Sequence, residues 1–357
     1  MDSPDQERRA VAFFDDVLQA FTSAAGARGI VEQSYRVGGR GLRLRFAGSS
    51  LVPTLSAALA PRLHRHRESE PDLTVCLWDS ASTGCQMPRA ALTERTIRGE
   101  IAGINTSRIY AVCERGYPGI TLFDRVRRLG LYWVPDLAAL PEWVTGAPLR
   151  LLFHWWMTLH GGQLVHGAAV GTTGGGVLIS ARGGSGKSTS ALACLAAGMQ
   201  YAGDDYVLLE LRPSPRVSSV YATAKVAPTQ LAQFPWLTEM VANPGALDRE
   251  KALIFLNRGD ATPLSDGFPL RAVLVPRVTG RPETTVRTLS PASALAAIAP
   301  STILFHPRGG DHELQRLGQL VRTVPTYLLE CGTDLAQIPR VISSLLQELT
   351  HDVAAPR

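Results

Sequence analysis

Apolar and polar positions change their period several times along this chain, and each change marks an element. Between residues 6 and 24, Ala10, Phe13, Phe14, Val17, Leu18 and Phe21 recur at helical spacing, which predicts an amphipathic helix ending across residues 23–28. Residues 34–37 and 42–46 then alternate apolar with polar or basic side chains about Gly38-Gly39, the pattern of a hairpin. A helix is expected over residues 51–63, opened near Pro53 and stopped around Pro61. Residues 73–78, 109–112 and 131–134 read as further strands. This front part is therefore α+β and sheet-rich, and it ends in the proline-marked stretch 135–148.

The pattern of the second half is different. Residues 149–160, LRLLFHWWMTLH, are apolar enough for a buried helix and lead into a strand ending at His166. Trp155 and Trp156 are read as core, with stacking on a nucleotide base as the alternative. Val177-Leu178-Ile179, bounded by Gly174-Gly175-Gly176, reads as a buried strand, and the alanine- and leucine-rich run from Thr189 as a helix stopped by Gly198. A strand follows Asp204-Asp205 at residues 206–209, a strand-rich segment spans 217–226, and strands are expected at 270–276 and 324–329. A closing helix spans 338–349, with Pro339 in its first turn. Two domains are expected, 1–148 and 149–357.

Composition narrows the class. Hydrophobic residues make up 45% and charged residues 19%, as in a globular protein with a sizeable core. The net charge of +5 is partly concentrated in the run from Arg62 to Arg67, which reads either as a solvated loop or as a dock for an acidic partner. Zinc-finger spacing and aromatic RNA-binding signatures are absent, so nucleic acid is not expected. Five scattered cysteines without a CxxC pair suggest reduced thiols. No apolar run is long enough to span a membrane and the first residues lack a signal-peptide core, so a cytoplasmic protein without membrane contact is expected.

The candidate chemistry lies between the strand at 177–179 and the helix after it. The connecting loop is ARGGSGKST, residues 181–189. Strand, glycine loop and helix are the context of a phosphate-binding loop. Gly183, Gly184 and Gly186 can turn backbone N–H groups inward, and the helix N-terminus adds positive potential. Ser185 and Thr189 belong to the same loop; Lys187 would reach the β- and γ-phosphates, and the Ser188 hydroxyl would ligate Mg²⁺. Ala181 stands where the usual pattern has glycine, a tolerable change at a strand end. Asp204 and Asp205 repel each other unless a cation neutralises them; one suits Mg²⁺ and the other suits accepting a hydroxyl proton. His166 reads either as a core histidine or as part of this site, and Lys225 either as a phosphate contact or as a solvated lysine.

Taken together, HGAAV, GGSGKST and GDDYV in this order resemble the HPr kinase/phosphorylase superfamily, and within it the HPr-kinase-like serine kinases found beside peptide natural-product genes, the lasso-peptide type. The resemblance implies an α/β kinase core with a P-loop, of the HPr-kinase/PEP-carboxykinase kind, behind an N-terminal α+β domain that could recognise substrate or act as a lid. It implies Asp204 as general base, with His166 and Lys187 beside the transferred phosphate, and Ser188 with Asp205 at the metal. It also implies ATP and Mg²⁺ as cofactors and a ribosomally made precursor peptide as acceptor, in a possible homo-oligomer. A small alcohol or free amino acid as acceptor and a non-catalytic nucleotide sensor remain open. The longer signature that serves phosphorolysis in authentic HPr kinases is not recognisable after the aspartates.

Overall fold

The long amphipathic stretch at the front folds as one helix, Pro4–Arg28, in a computed structural model that describes residues 3–64, 70–88, 95–258, 263–304, 307 and 310–354. Ser3 caps it by accepting the Gln6 N–H at 3.2 Å, and Gly29, at φ 76°, ends it by donating to the Ala25 carbonyl. Its stripe of Ala10, Phe13, Phe14, Val17 and Phe21 is buried together with Cys76, Trp78, Ile109 and Leu122 of the strands beside it.

Those strands are β1 (Ile30–Val37), β2 (Arg40–Ala47), β3 (Leu73–Asp79), β4 (Ile109–Cys113), β5 (Ile120–Asp124) and β6 (Leu129–Val134), in the order β1-β2-β3-β6-β5-β4. The β1–β2 hairpin turns through Gly38 and Gly39, both at positive φ. Leu42, Leu44 and Phe46 of β2 are buried, while Arg45 on the other face pairs with Glu32 of β1 at 3.0 Å. The expected helix over 51–63 is instead a short α-helix, Val52–Ser56, followed by a 3₁₀ turn, Ala57–Arg62. Arg62 itself is buried, so it is not an exposed docking cation; Arg65 and Arg67 lie outside the described residues.

The chain divides into two compact units, Met1–His160 and Gly161–Arg357. The apolar helix at Arg150–Leu159 therefore groups with the first unit, although the sequence pattern assigns it to the second domain. Trp155 meets Tyr110 of β4 edge-on at 5.4 Å, and a Cβ on Gly130 of β6 would come within 2.8 Å of Leu152. Trp155 and Trp156 are fully buried, which leaves neither ring for a base.

The second unit is built on β7 (Gly162–His166), β8 (Ala168–Thr172), β9 (Gly175–Ile179), β10 (Gln200–Gly203), β11 (Tyr206–Glu210), β12 (Arg216–Ser218), the ribbon strands β13 (Thr223–Val226) and β14 (Ala252–Phe255), β15 (Gly267–Val278), β16 (Thr285–Thr288) and β17 (Thr326–Cys331). The main sheet runs β10-β8-β9-β15-β12-β11-β7, with β17 beside β15 and β16; β13 and β14 form a separate antiparallel ribbon. Strands β9, β15 and β17 are parallel.

This sheet is covered on both faces, which explains its unbroken apolar runs. Val177 and Ile179 of β9 pack with Leu274, Leu192, Ile338 and Ile342, under helices Lys187–Ala196 and Gln337–Ala354. The opposite face packs Leu178, Val273 and Val275 with Ile298, Leu317 and Leu320 of helices Pro291–Ile303 and Asp311–Thr323. The protein is thus a mixed α/β fold. Among the described residues no helix is long and apolar enough to cross a membrane, and all five cysteines are free thiols.

Candidate functional site

Strand β9 ends at Ile179 in mid-sheet, the chain crosses residues 180–186, and a ten-residue helix begins at Lys187. Because β9, β15 and β17 are parallel, this loop lies where their C-terminal ends gather, the usual ligand edge of an open parallel sheet. A Cβ on Gly186 would sit 3.2 Å from Val278 and 3.8 Å from Cys331, the last residues of β15 and β17. Ser180 pins the loop's start by donating its N–H to the Leu274 carbonyl at 3.0 Å and its hydroxyl to the His166 carbonyl at 2.8 Å.

The glycines of the loop are not equivalent. Gly184 and Gly186 take φ of 78° and 103°, which L-residues with side chains resist. Gly183 is not at positive φ, and nothing approaches within 4 Å of a Cβ there. Its glycine leaves backbone open without being required by the turn. Ala181 is buried in the core, consistent with its place at the strand end.

Lys187 folds back over the loop. Its Nζ donates to the carbonyls of Ala181 at 2.8 Å and Arg182 at 3.0 Å, leaving a third proton for another acceptor. The side chain is buried, and burial lowers its pKa, while Asp204 and Asp205 work in the opposite direction. Thr189 is tied aside, its hydroxyl donating to Gln230 at 2.6 Å. The Ser185 hydroxyl is buried with no hydrogen-bond partner.

Between β10 and β11 the chain turns through Gly203, Asp204 and Asp205. Asp205 sits at φ 67°, a left-handed conformation that costs a non-glycine residue about 1–3 kcal/mol. The turn is held by hydrogen bonds from the Tyr206 N–H to the Asp204 carbonyl and from the Gly167 N–H to the Asp205 carbonyl. It places Asp205 beside His166, because β11 pairs with β7 so that Tyr206 faces His166.

The two carboxylates meet different surroundings. Asp205 Oδ1 is 3.3 Å from His166 Nε2, and its Oδ2 is 2.7 Å from Lys225 Nζ. Burial would raise its pKa, but the Lys225 ammonium and His166 outweigh burial and hold it well below the usual carboxylate range. Asp204 is 2% exposed; its Oδ2 accepts the Lys225 backbone N–H at 3.3 Å, and its Oδ1 is buried without a partner. Burial and the neighbouring Asp205 charge push the Asp204 pKa up, with the Ser188 hydroxyl and the N–H groups of Asp205 and Lys225 opposing. One residue, Lys225, therefore braces both aspartates, one through its side chain and one through its backbone.

Around this centre, the His166 N–H donates to Thr302 at 3.3 Å and the His166 ring lies tilted on Tyr206 at 5.6 Å. Thr302 thus reaches the site's frame by its hydroxyl, which accepts from the backbone of His166. Sequence reading overlooked Lys251, which directly precedes β14 and whose charge acts on Lys187. The only sequence signal was a basic residue at the edge of the apolar run Ala252–Phe255.

Among the described residues no group of three His, Cys, Asp or Glu side chains converges to hold a metal. A hard divalent cation here would draw on one carboxylate and the Ser188 hydroxyl, with phosphate and water oxygens completing its shell, as Mg²⁺ commonly does. The Ser188 hydroxyl, close to the aspartate pair, fits that donor set. Asp205 fits it only when Lys225 gives up its Oδ2.

No protein-family model matches the chain, and no curated protein matches it. Among solved structures, the HPr(Ser) kinase/phosphatase from Coxiella burnetii is similar over 54% of this chain and 99% of its own, at 15% identity and a TM-score of 0.31, a distant likeness.

Proposed function

We propose that this protein is a phosphotransferase that uses ATP and Mg²⁺ to phosphorylate a serine-type hydroxyl. The observation that supports it is the convergence, at one edge of the sheet, of a glycine loop with a buried lysine and two carboxylates with opposite proton affinities. On this reading the loop is a phosphate-binding loop of the Walker A kind, in which the backbone of Gly183, Gly184, Ser185 and Gly186 and the N–H groups opening the helix cradle the phosphates. Lys187 turns from the Ala181 and Arg182 carbonyls to the β- and γ-phosphate oxygens. Ser188, with Asp205 once Lys225 gives up its Oδ2, would hold the metal, which would spread the charge of the phosphates.

Asp204 is the general base. Its raised proton affinity and unspent Oδ1 suit it to take the acceptor's hydroxyl proton as that oxygen attacks the γ-phosphorus in line. The bond between the γ-phosphorus and the β–γ bridging oxygen breaks, and ADP carries away the electron pair. His166 orients Asp205. By resemblance to the lasso-peptide-type kinases, the acceptor is a precursor peptide; a small alcohol or a free amino acid uses the same chemistry.

Transfer of γ-labelled phosphate tests the reading. Label on a serine-bearing peptide, or on free serine, is the expected result and tells the acceptor classes apart. ATP binding without transfer to any acceptor would make the protein a nucleotide sensor, and no ATP binding would remove the reading altogether.

A further inference from the structure

The ribbon β13–β14 brings Lys225 to the Asp204-Asp205 turn and carries Lys251 directly before its second strand. Ala224 and Val226 of β13 and Ala252 and Ile254 of β14 are buried with Ala191, Leu192 and Leu195, so the ribbon is packed on the helix that the glycine loop opens. Lys225 lies on the other face of β13, its ammonium on Asp205 and its N–H on Asp204. The Tyr201 hydroxyl donates to the Thr223 carbonyl at 3.1 Å, which fixes the start of that strand against β10.

Lys251 is held in place although its side chain is exposed. Asn243, 4% exposed, donates its side-chain amide to the Lys251 carbonyl at 2.9 Å and accepts the Leu253 N–H at 2.8 Å. Those two bonds clamp the backbone on either side of Ala252. The Lys251 charge adds to the causes that lower the Lys187 pKa, as a like charge does. Lys225 pairs with Leu253, and Lys251 lies two residues before Leu253, so both lysines fall on the ribbon face that alternates with buried Ala252 and Ile254.

We propose that Lys225 and Lys251 form a second phosphate-binding arm, which grips a chain of linked phosphates beside the glycine loop. The proposal rests on the phosphotransferase reading and adds the grip on the donor's polyphosphate to it. Before the ligand arrives, the Lys225 ammonium serves as the counter-ion of Asp205. When phosphate oxygens arrive they compete for that ammonium, and its transfer to them releases Asp205 Oδ2 for a metal. One displacement thereby couples phosphate binding to the opening of a carboxylate.

The test is calorimetry of the full chain with inorganic tripolyphosphate in the presence of a chelator, so that no metal contributes. Wild type is expected to bind. Lys251→Met is expected to weaken binding about 3- to 10-fold and Lys225→Met about 10-fold or more, while Lys225→Arg retains most of the affinity. A merely structural Lys225 would not show this charge-dependent rescue in the absence of metal. Where Lys225→Met does not fold, Lys251→Met and Lys225→Arg carry the test alone, because the first alters an exposed side chain and the second keeps the charge. Wild-type affinity in Lys251→Met and in any folded Lys225→Met, with Lys187→Ala weakened, would overturn the arm and leave the glycine-loop reading standing. Failure of wild type to bind either ATP or tripolyphosphate would bring down both.

Discussion

Each unit of the protein holds a cluster of inward-facing ionisable groups, and the two clusters are stored in opposite ways. In the first unit, Glu114 follows β4 and accepts the Thr121 hydroxyl at 2.5 Å, and the hydroxyls of Tyr117 and Tyr132 meet at 3.1 Å. Burial pushes the Glu114 pKa up, against Thr121, Arg150 and Tyr117, and pushes both tyrosines up as well. This cluster is favoured neutral, and its hydroxyls are spent on one another. In the second unit, Lys225 and His166 hold Asp205 in its charged form, one lysine braces two aspartates, and the Asp204 Oδ1 and the Ser185 hydroxyl have no partners. Burial is therefore not what marks a site. Charge kept in a poorly solvated place, with hydrogen-bonding capacity left over, is the better marker.

The sharpest way to break this contrast is at Asp204, whose raised pKa it shares with Glu114. As general base, Asp204→Asn is expected to lower single-turnover transfer by roughly 10²- to 10⁴-fold with ATP binding retained. Asp205→Asn should instead raise the magnesium concentration that gives half-maximal rate. Near-normal transfer in Asp204→Asn with loss in Asp205→Asn would exchange the two roles. Normal transfer in both would make the pair a structural turn of the same kind as the Glu114 cluster.

Lys187→Ala comes next. Affinity for an ATP analogue is expected to fall roughly 10²- to 10³-fold, the worth of a preorganised group aimed at phosphate charge. The thermal midpoint should hold, because the substitution removes an ammonium whose burial is already unfavourable. A large fall in the midpoint with unchanged affinity would assign Lys187 to the fold rather than to the ligand.

Within the loop, Gly186→Ala and Gly183→Ala form a pair with unequal outcomes. Gly186 combines φ 103° with Val278 at 3.2 Å from a Cβ, so alanine is expected to cost about 1–3 kcal/mol. Gly183 has open space and no positive φ, and alanine there should change stability by less than about 0.5 kcal/mol. Chemical denaturation of both variants reads the difference.

These positions also show where sequence stops informing. The strand, loop and helix around Lys187 were legible because a buried strand, three glycines and an alanine-rich run are local signals. The position of Asp204-Asp205 at a strand edge was legible for the same reason. Their division of roles was not, because it depends on Lys225, twenty residues downstream, which meets one aspartate with its ammonium and the other with its N–H. Lys251 was invisible because its placement depends on Asn243 and on the pairing of β13 with β14. The helix Pro291–Ile303 escaped notice because its apolar residues lie all round and it contains Pro300. The 149–160 helix was found, but its partner sheet was not, since burial without a polar face gives no direction.

The smallest expected effect tests the other half of the contrast. Burial makes folded Glu114 hold its proton more tightly than the unfolded chain does. Its contribution to stability is then fully present below the ordinary glutamate value of about 4.5 and declines as pH rises from there through the raised folded value. Asp205, held low by Lys225 and His166, has the opposite sign: its contribution is present above the ordinary aspartate value and is lost as pH falls through the depressed one. Glu114→Gln keeps the acceptor for Thr121 and removes the titration. Urea unfolding from about pH 4 to about pH 8 should find the variant nearly equal to wild type at the acid end and more stable at the alkaline end, by on the order of 1 kcal/mol. Parallel curves across the range would mean that Glu114 is no less charged than Asp205, and the contrast between the two clusters would lose its physical basis.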